Sequence, residues 1–310
     1  MIDRVEGEIL AEVTRSGMVE SSHRGHLVFI DADGSVPFSM GNTSLRIYPR
    51  SSIKAIQTSA MVRLGLPLQP RLLAVVAASH SGSQMHQSAI KEILTLAGLD
   101  EGALQNTPDR PLGEKERRDW GSNPPTALAQ NCSGKHAGML LTCVHNGWPI
   151  ANYLDPSHPL QVACHKELAE LSGEEDSSVS IDGCGAPLFV VTVLGLARAV
   201  HRLTISADPI HQVVVQACRD FPVMVAGEGR LTTRKMREIP GLFMKEGAEG
   251  VQVGSMPDGR TFAYKVTDGS ARAAGVLVVA ALGKFGVPAV VEDLPIYGGK
   301  DIIGSIRATF

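Results

Sequence analysis

Strand-like alternation occupies both ends of this chain, with helical periodicity between them, and that order limits the fold more than any other feature. Residues 8 to 41 alternate apolar and polar side chains, with turn signals at Ser16-Gly17 and Asp31-Ala32-Asp33-Gly34, the pattern of an antiparallel meander. Near the other end, Leu242 to Lys245, Val251 to Ser255 and Thr261 to Val266 read as strands, the last two joined by a Pro257-Asp258-Gly259 turn. A helix is expected from about Ser270 to Phe285. Strands early and late do not suit the strand–helix alternation of a Rossmann-type fold. They predict an α+β architecture, an antiparallel sheet flanked by helices beside a mostly helical middle lobe. With 310 residues, 44% of them apolar, one domain over residues 1 to 310 is the expectation.

Between the strands, Ile56, Ala60, Met61 and Leu64 have helical spacing after Tyr48-Pro49, so Ser51 falls at or near a helix N-terminus. Leu72 to Ala78 is a short apolar run ending at Ser79-His80-Ser81-Gly82. A helix from about Gln84 carries Ile90, Ile93, Leu94 and Leu96 on one stripe, and Gly98 is placed to stop it. Residues 99 to 130 are polar and proline-rich and read as a long loop. Helices follow Asn131-Cys132-Ser133-Gly134-Lys135-His136 and Pro159, and another lies near Ile210 to Cys218.

A formal charge of −3 gives no basic footprint for nucleic acid or an anionic membrane. The charged start Met1-Ile2-Asp3-Arg4 lacks the apolar core of a signal peptide. The most apolar stretch, Leu188 to Val200, is broken by Gly195 and Arg198 and is too short for a bilayer. A cytoplasmic location is the expectation. Five cysteines in irregular spacing argue against a disulfide framework. Cys143, Cys164 and Cys218 sit in apolar helical patterns, as small hydrophobes do. Cys132 and Cys184 lie in glycine-bearing loops instead.

Ser51 and Lys54 form an S-x-x-K pair, and residues three apart share a helix face. A desolvated lysine can take the serine proton, and a helix N-terminus favours the alkoxide that develops. The spacing also arises by chance. Ser88 and Lys91 repeat it inside an amphipathic helix, where they read as solvated surface. Ser79, at the end of an apolar run before a small-residue turn, is a second candidate nucleophile or a turn serine. Cys132 and Cys184 could bind zinc as loop thiolates, although CxxC pairs are missing; His136, beside Lys135, could be a ligand, an outer partner of one, or a core histidine. Lys265 alternates with Tyr264 and Val266, projecting either to solvent or into a cleft.

Taken together, these motifs resemble the class 3, or rhizobial-type, bacterial L-asparaginases, the asparaginase II family. The resemblance runs in order through Leu10-Ala11-Glu12-Val13-Thr14-Arg15, Arg50-Ser51-Ser52-Ile53-Lys54, Ala78-Ser79-His80-Ser81 and Asn131-Cys132-Ser133-Gly134-Lys135-His136. It continues through Asp182-Gly183-Cys184, Met224-Val225-Ala226-Gly227-Glu228-Gly229-Arg230 and Lys265-Val266-Thr267-Asp268-Gly269. It implies hydrolysis of L-asparagine to L-aspartate and ammonia, on a fold similar to serine β-lactamases and glutaminases, in a homodimer. It further implies two Ser-Lys tandems, Ser51/Lys54 and Ser79/Lys265, and zinc held by Cys132, Lys135 and Cys184. Asp182 is expected to hold the substrate amine, Arg50 or Arg230 its α-carboxylate, with His136 nearby. The proline that often follows the tandem lysine is Ala55 here. Neither S-D-N nor K-T-G occurs, which disfavours a β-lactamase role.

Overall fold

The structure is a computed structural model and describes residues 6–292 and 294–310. Strand β1 (Glu8–Arg15) turns at Ser16-Gly17 into the long β2 (Met18–Ile30). Positive φ at both turn residues, 48° and 84°, matches the right-handed twist of the flanking strands. The short β3 (Phe38–Met40) pairs back on β2, and β4 (Arg46–Ile47) leaves the sheet. A 3-10 turn, Arg50–Ile53, then opens helix α1 (Lys54–Arg63).

The middle of the chain is helical. The run after Leu68 is helix α2 (Pro70–Val76), its proline at the first turn where no N–H is needed. Helix α3 (Gln84–Leu96) follows, with Ile90, Ile93 and Leu94 buried but Leu96 left largely exposed. The expected loop over 99 to 130 is not structureless: it holds α4 (Glu114–Trp120), an exposed helix with acidic residues in its first turn and basic residues in its last. Helices α5 (Ser133–His145) and α6 (Pro159–Ser172) come next, then a small ladder of β5 (Val179–Ile181) and β6 (Pro187–Phe189). Strand β7 (Val191–Thr192) pairs with β4 and leads into α7 (Val193–Ile205), capped by the Thr192 hydroxyl on Gly195 N–H. Helices α8 (Pro209–Asp220), α9 (Pro222–Val225) and α10 (Leu231–Glu238) complete the lobe.

The chain returns to the sheet through β8 (Phe243–Gly247), β9 (Val251–Ser255) and β10 (Thr261–Val266). Helix α11 (Ala274–Lys284) and the strands β11 (Pro295–Gly298) and β12 (Asp301–Ala308) end it. The sheet runs β11-β12-β1-β2-β10-β9-β8, antiparallel throughout. The α+β architecture is therefore the one observed. Helix α7 packs on β2, β9 and β10, and α11 on β1 and β12. In the lobe, Arg63 of α1 holds Glu167 of α6 through two bonds of 3.0 Å, and His211 of α8 meets the same carboxylate at 2.6 Å. A bidentate pair anchored on the buried Glu167 fixes helix register as well as adding attraction.

Edge strand β8 faces the lobe, and the turn Arg50–Ile53 packs directly on β8 and β9. Gly247 permits the contact, since a Cβ there would stand 2.6 Å from the Pro49 carbonyl oxygen. Gly134 does the same for α5 against α2, where a Cβ would lie 2.2 Å from the Val75 carbonyl oxygen. These two close approaches bring sheet edge, α1 and α5 to one point. Among the described residues, no helix is long and apolar enough to cross a membrane.

Candidate active site and metal centre

The first wall of the site is the turn before α1. Pro49 has φ −69° and Arg50 has φ 53°, the left-handed region, which a bulky residue enters at a cost of about 1–3 kcal/mol. Two contacts hold it there. Ser52 Oγ donates to the Pro49 carbonyl at 2.6 Å, and Arg50 Nε donates to Asp182 Oδ1 at 2.7 Å. Ser51 follows at once, nearly buried, and its hydroxyl has no hydrogen-bond partner among the described residues.

Ser79 forms the second wall. Its N–H donates to the Val225 carbonyl at 3.0 Å, and its own carbonyl accepts Arg230 Nη1 at 2.6 Å. The next residue, His80, donates its backbone N–H to Asn131 at 3.2 Å. Two distant segments, around Val225–Arg230 and at Asn131, thus clamp one short turn. The Ser79 hydroxyl oxygen accepts from two amines, Lys245 Nζ at 2.9 Å and Lys54 Nζ at 3.3 Å. Lys54 also donates to the Ala78 carbonyl at 2.6 Å and reaches Cys132 Sγ at 3.1 Å.

Lys245 projects from β8 and is 1% exposed. Burial disfavours its charged form, and against the opposing Glu246 carboxylate its pKa is lowered to about 8. Glu246 is pushed the other way by burial, yet the Lys245 amine and the Arg230 guanidinium hold it at about 2. It accepts Arg230 Nη2 at 2.7 Å and the Thr232 hydroxyl.

Beside these groups lies a sulfur-rich cluster. The ligand atoms of Cys132, Asp182 and Cys184 stand within 4.8 Å of one another. Cys132 caps the start of α5, and Cys184 sits in a turn closed by Gly185 N–H on the Asp182 carbonyl at 2.8 Å. Lys135 Nζ is 3.5 Å from Cys184 Sγ. The contact between the two thiols lowers Cys184 to about 5, with the Lys135 ammonium adding to the effect, and raises Cys132 to about 12. Lys135 is raised by the Cys184 charge despite its burial. Zinc–sulfur bonds are about 2.3 Å, so ligand atoms of a tetrahedral site stand under about 4 Å apart. Two thiols and a carboxylate within 4.8 Å, with the Lys135 amine 3.5 Å from one sulfur, match zinc in donor type and number, provided the sulfurs draw in by under an ångström and the amine sheds its proton.

Several expected partnerships are rearranged. Lys265 does not meet Ser79: its amine donates to the carbonyls of Glu249 and Val266, near the sheet surface. Lys245 takes its place, two strands away across β9. The register puts Lys245 opposite Val253 and Lys265 opposite Val251, so both project to the same face of the sheet, two residues apart along it. No Ser51–Lys54 hydrogen bond is formed either, because the three donors of Lys54 are taken elsewhere. Arg230 is committed to Ser79 and Glu246, not free for a substrate carboxylate, and Arg50 is committed to Asp182. His136 is wholly buried, with Nδ1 on the Tyr153 hydroxyl at 2.7 Å, and burial lowers its pKa to about 3. Ser88 and Lys91 are exposed, Lys91 paired with Glu101 at 2.7 Å.

Sequence reasoning does not single out Lys245 or Glu246, and it places Asp182 at the substrate amine and not beside the two thiols. A signal existed for the first: Lys245 shares strand parity with the buried Phe243, and a charge on an inward position needs a partner.

Residues 11–296 match the family model described as L-asparaginase II. No curated protein matches the chain by sequence. The solved structures similar to it include a β-lactamase from Mycobacterium bovis, at 13% identity and a TM-score of 0.44, over 84% of this chain and 94% of that one. A Bacillus glutaminase is 12% identical with a TM-score of 0.38, over 86% of this chain and 92% of that one. Likeness this distant leaves the chemistry to the side chains.

Proposed function

The chain belongs to the L-asparaginase II family, and from that premise we propose that it hydrolyses L-asparagine to L-aspartate and ammonia by serine–lysine catalysis. The observation that carries the reading is the convergence of two buried amines, Lys54 and Lys245, on the hydroxyl of Ser79, beside the strained turn that presents Ser51. Ser51 attacks the side-chain amide carbon and passes its proton to the lysine pair. Its place at the start of α1 gives the developing oxyanion the positive end of a helix dipole. The Ser79 hydroxyl, sitting between the two amines, relays a proton to the departing ammonia. Water then cleaves the aspartyl ester and restores Ser51.

One observation favours a second assignment of the attacking atom. Lys54 bonds Ser79 and not Ser51, so Ser79 is the hydroxyl already next to a base. Mass spectrometry of the acid-quenched reaction separates the two by which peptide carries the added aspartyl mass. We expect it on the peptide containing Ser51. An adduct on the peptide containing Ser79 gives that residue the attacking role. Glutamine is the rival substrate, since one methylene is worth only about 1–3 kcal/mol of discrimination. Ammonia release from both amides, measured side by side, decides between them.

Cys132, Lys135, Cys184 and Asp182 are the residues that would hold zinc. Zinc would supply a Lewis-acid anchor for the polar end of the substrate. Arg50 keeps the Asp182 carboxylate aimed at the thiols, an outer contact of the kind that orients metal ligands. Metal analysis after gel filtration tests the assignment: one zinc per chain in the wild type and a large loss in Cys184→Ser.

A further inference from the structure

Glu246 is half-buried, charged and used by none of the steps above. Its carboxylate accepts Arg230 Nη2 at 2.7 Å and the Thr232 hydroxyl, and its Oε1 stands 3.8 Å from Lys245 Nζ. Arg230 in turn spends Nη1 on the Ser79 carbonyl at 2.6 Å. The groups form a chain: Thr232 and Arg230 hold the Glu246 carboxylate, Arg230 grips the Ser79 carbonyl, and Glu246 faces the Lys245 amine that grips the Ser79 hydroxyl. Both ends of Ser79 are thereby referred to one carboxylate.

We propose that Glu246, clamped by Arg230 and Thr232, is a positioning residue that supplies the counter-charge of Lys245 and, through Arg230, fixes the Ser79 turn beneath it. The inference rests on the serine–lysine reading for its catalytic consequence, though not for its electrostatic one. Sign follows from the neighbours of Lys245. Glu246 on β8 favours the ammonium, as does Cys132 at the start of α5, while Lys54 on α1 and Arg230 ahead of α10 oppose it. Cys218 on α8 also lies within range of the amine, as a thiol whose ionisation burial suppresses. Among the described residues, only Glu246 stands within 4 Å of the amine as an opposite charge. A carboxylate at such a distance moves a lysine by about 1–3 pH units. Removing it lowers the pH at which Lys245 loses its proton. Removing Arg230, and leaving Glu246 free, raises it.

Two variants of opposite sign make the test independent of activity. The full chain carrying 13C at lysine Cε is titrated by NMR, with the Lys245 resonance assigned from its absence in Lys245→Met. Glu246→Gln is expected to move the Lys245 midpoint down by about 1–3 pH units, and Arg230→Gln to move it up. Glu246→Asp, which keeps the charge, should restore most of the shift. If Glu246→Gln fails to fold, the upward movement in Arg230→Gln carries the test alone. Midpoints unchanged within about 0.3 pH units in a folded variant, or both moving in the same direction, overturn the proposal. Catalysis is read separately. The limb of the kcat/KM profile for ammonia release from L-asparagine that belongs to Lys245 should follow the NMR midpoint in each variant. A wild type that releases no ammonia from L-asparagine sinks the substrate assignment and leaves the titration result standing.

Discussion

Lys245 and Lys265 invite comparison. Both are strand lysines, both project to the same face of one sheet, and β9 alone separates their strands. Lys245 lies where the sheet edge meets the helical lobe; it is fully buried, bonded to a serine hydroxyl, and pushed down to about 8. Lys265 lies two residues further along, half-buried, and bonds only backbone carbonyls. The difference teaches that strand parity selects a face but does not select what covers it. Coverage comes from the turn before α1 packing on β8, a contact between residues almost two hundred positions apart.

The largest effect is expected where the two amines meet. Ser79→Ala removes the one hydroxyl both of them touch, and should lower kcat/KM for ammonia release by about 10²–10⁴-fold, the usual contribution of proton transfer. A loss under about tenfold would break the tie between Lys245 and the chemistry.

A stability measurement sharpens the contrast next. The pKa of Lys245 falls from its ordinary 10.5 to about 8 on folding, so between those values the unfolded chain binds more protons than the folded one. Stability from this group therefore rises with pH from about 8 to about 10.5, by up to about 3 kcal/mol. Urea unfolding of wild type and Lys245→Met across that range should show the rise in their difference; a flat difference contradicts the burial argument. The smallest effect is reserved for the other lysine. Lys265→Met gives up bonds to two carbonyls near the surface, and should change stability by no more than about 1 kcal/mol.

Much of the architecture was legible because local chemistry agreed with the global fold. The Ser16-Gly17 hairpin, the helix after Gln84 and the strands from Val251 to Val266 all follow from alternation, spacing and turn residues. Helix α4 was not, because its Glu-Lys-Glu-Arg-Arg surface carries no apolar stripe. At the site, motif spacing points to Ser51, Ser79, Lys54, Cys132, Lys135 and Cys184, and the structure places the last five in one contiguous set of contacts. The amine that meets Ser79 is Lys245, not the expected Lys265. The choice between Lys245 and Lys265 depends on which end of the strand the lobe covers, and periodicity holds no information about that. Arg230 and Arg50 were read as free cations because a sequence does not show that Glu246 and Asp182 already hold them.

One assay bears on the central claim, that Lys245 and not Lys265 serves the Ser79 hydroxyl. Lys245→Met and Lys265→Met are purified, shown to be folded, and compared for ammonia release from L-asparagine at one pH. A fall of about 10²–10⁴-fold in kcat/KM is expected for Lys245→Met and less than about tenfold for Lys265→Met. Activity retained in Lys245→Met and lost in Lys265→Met would contradict it.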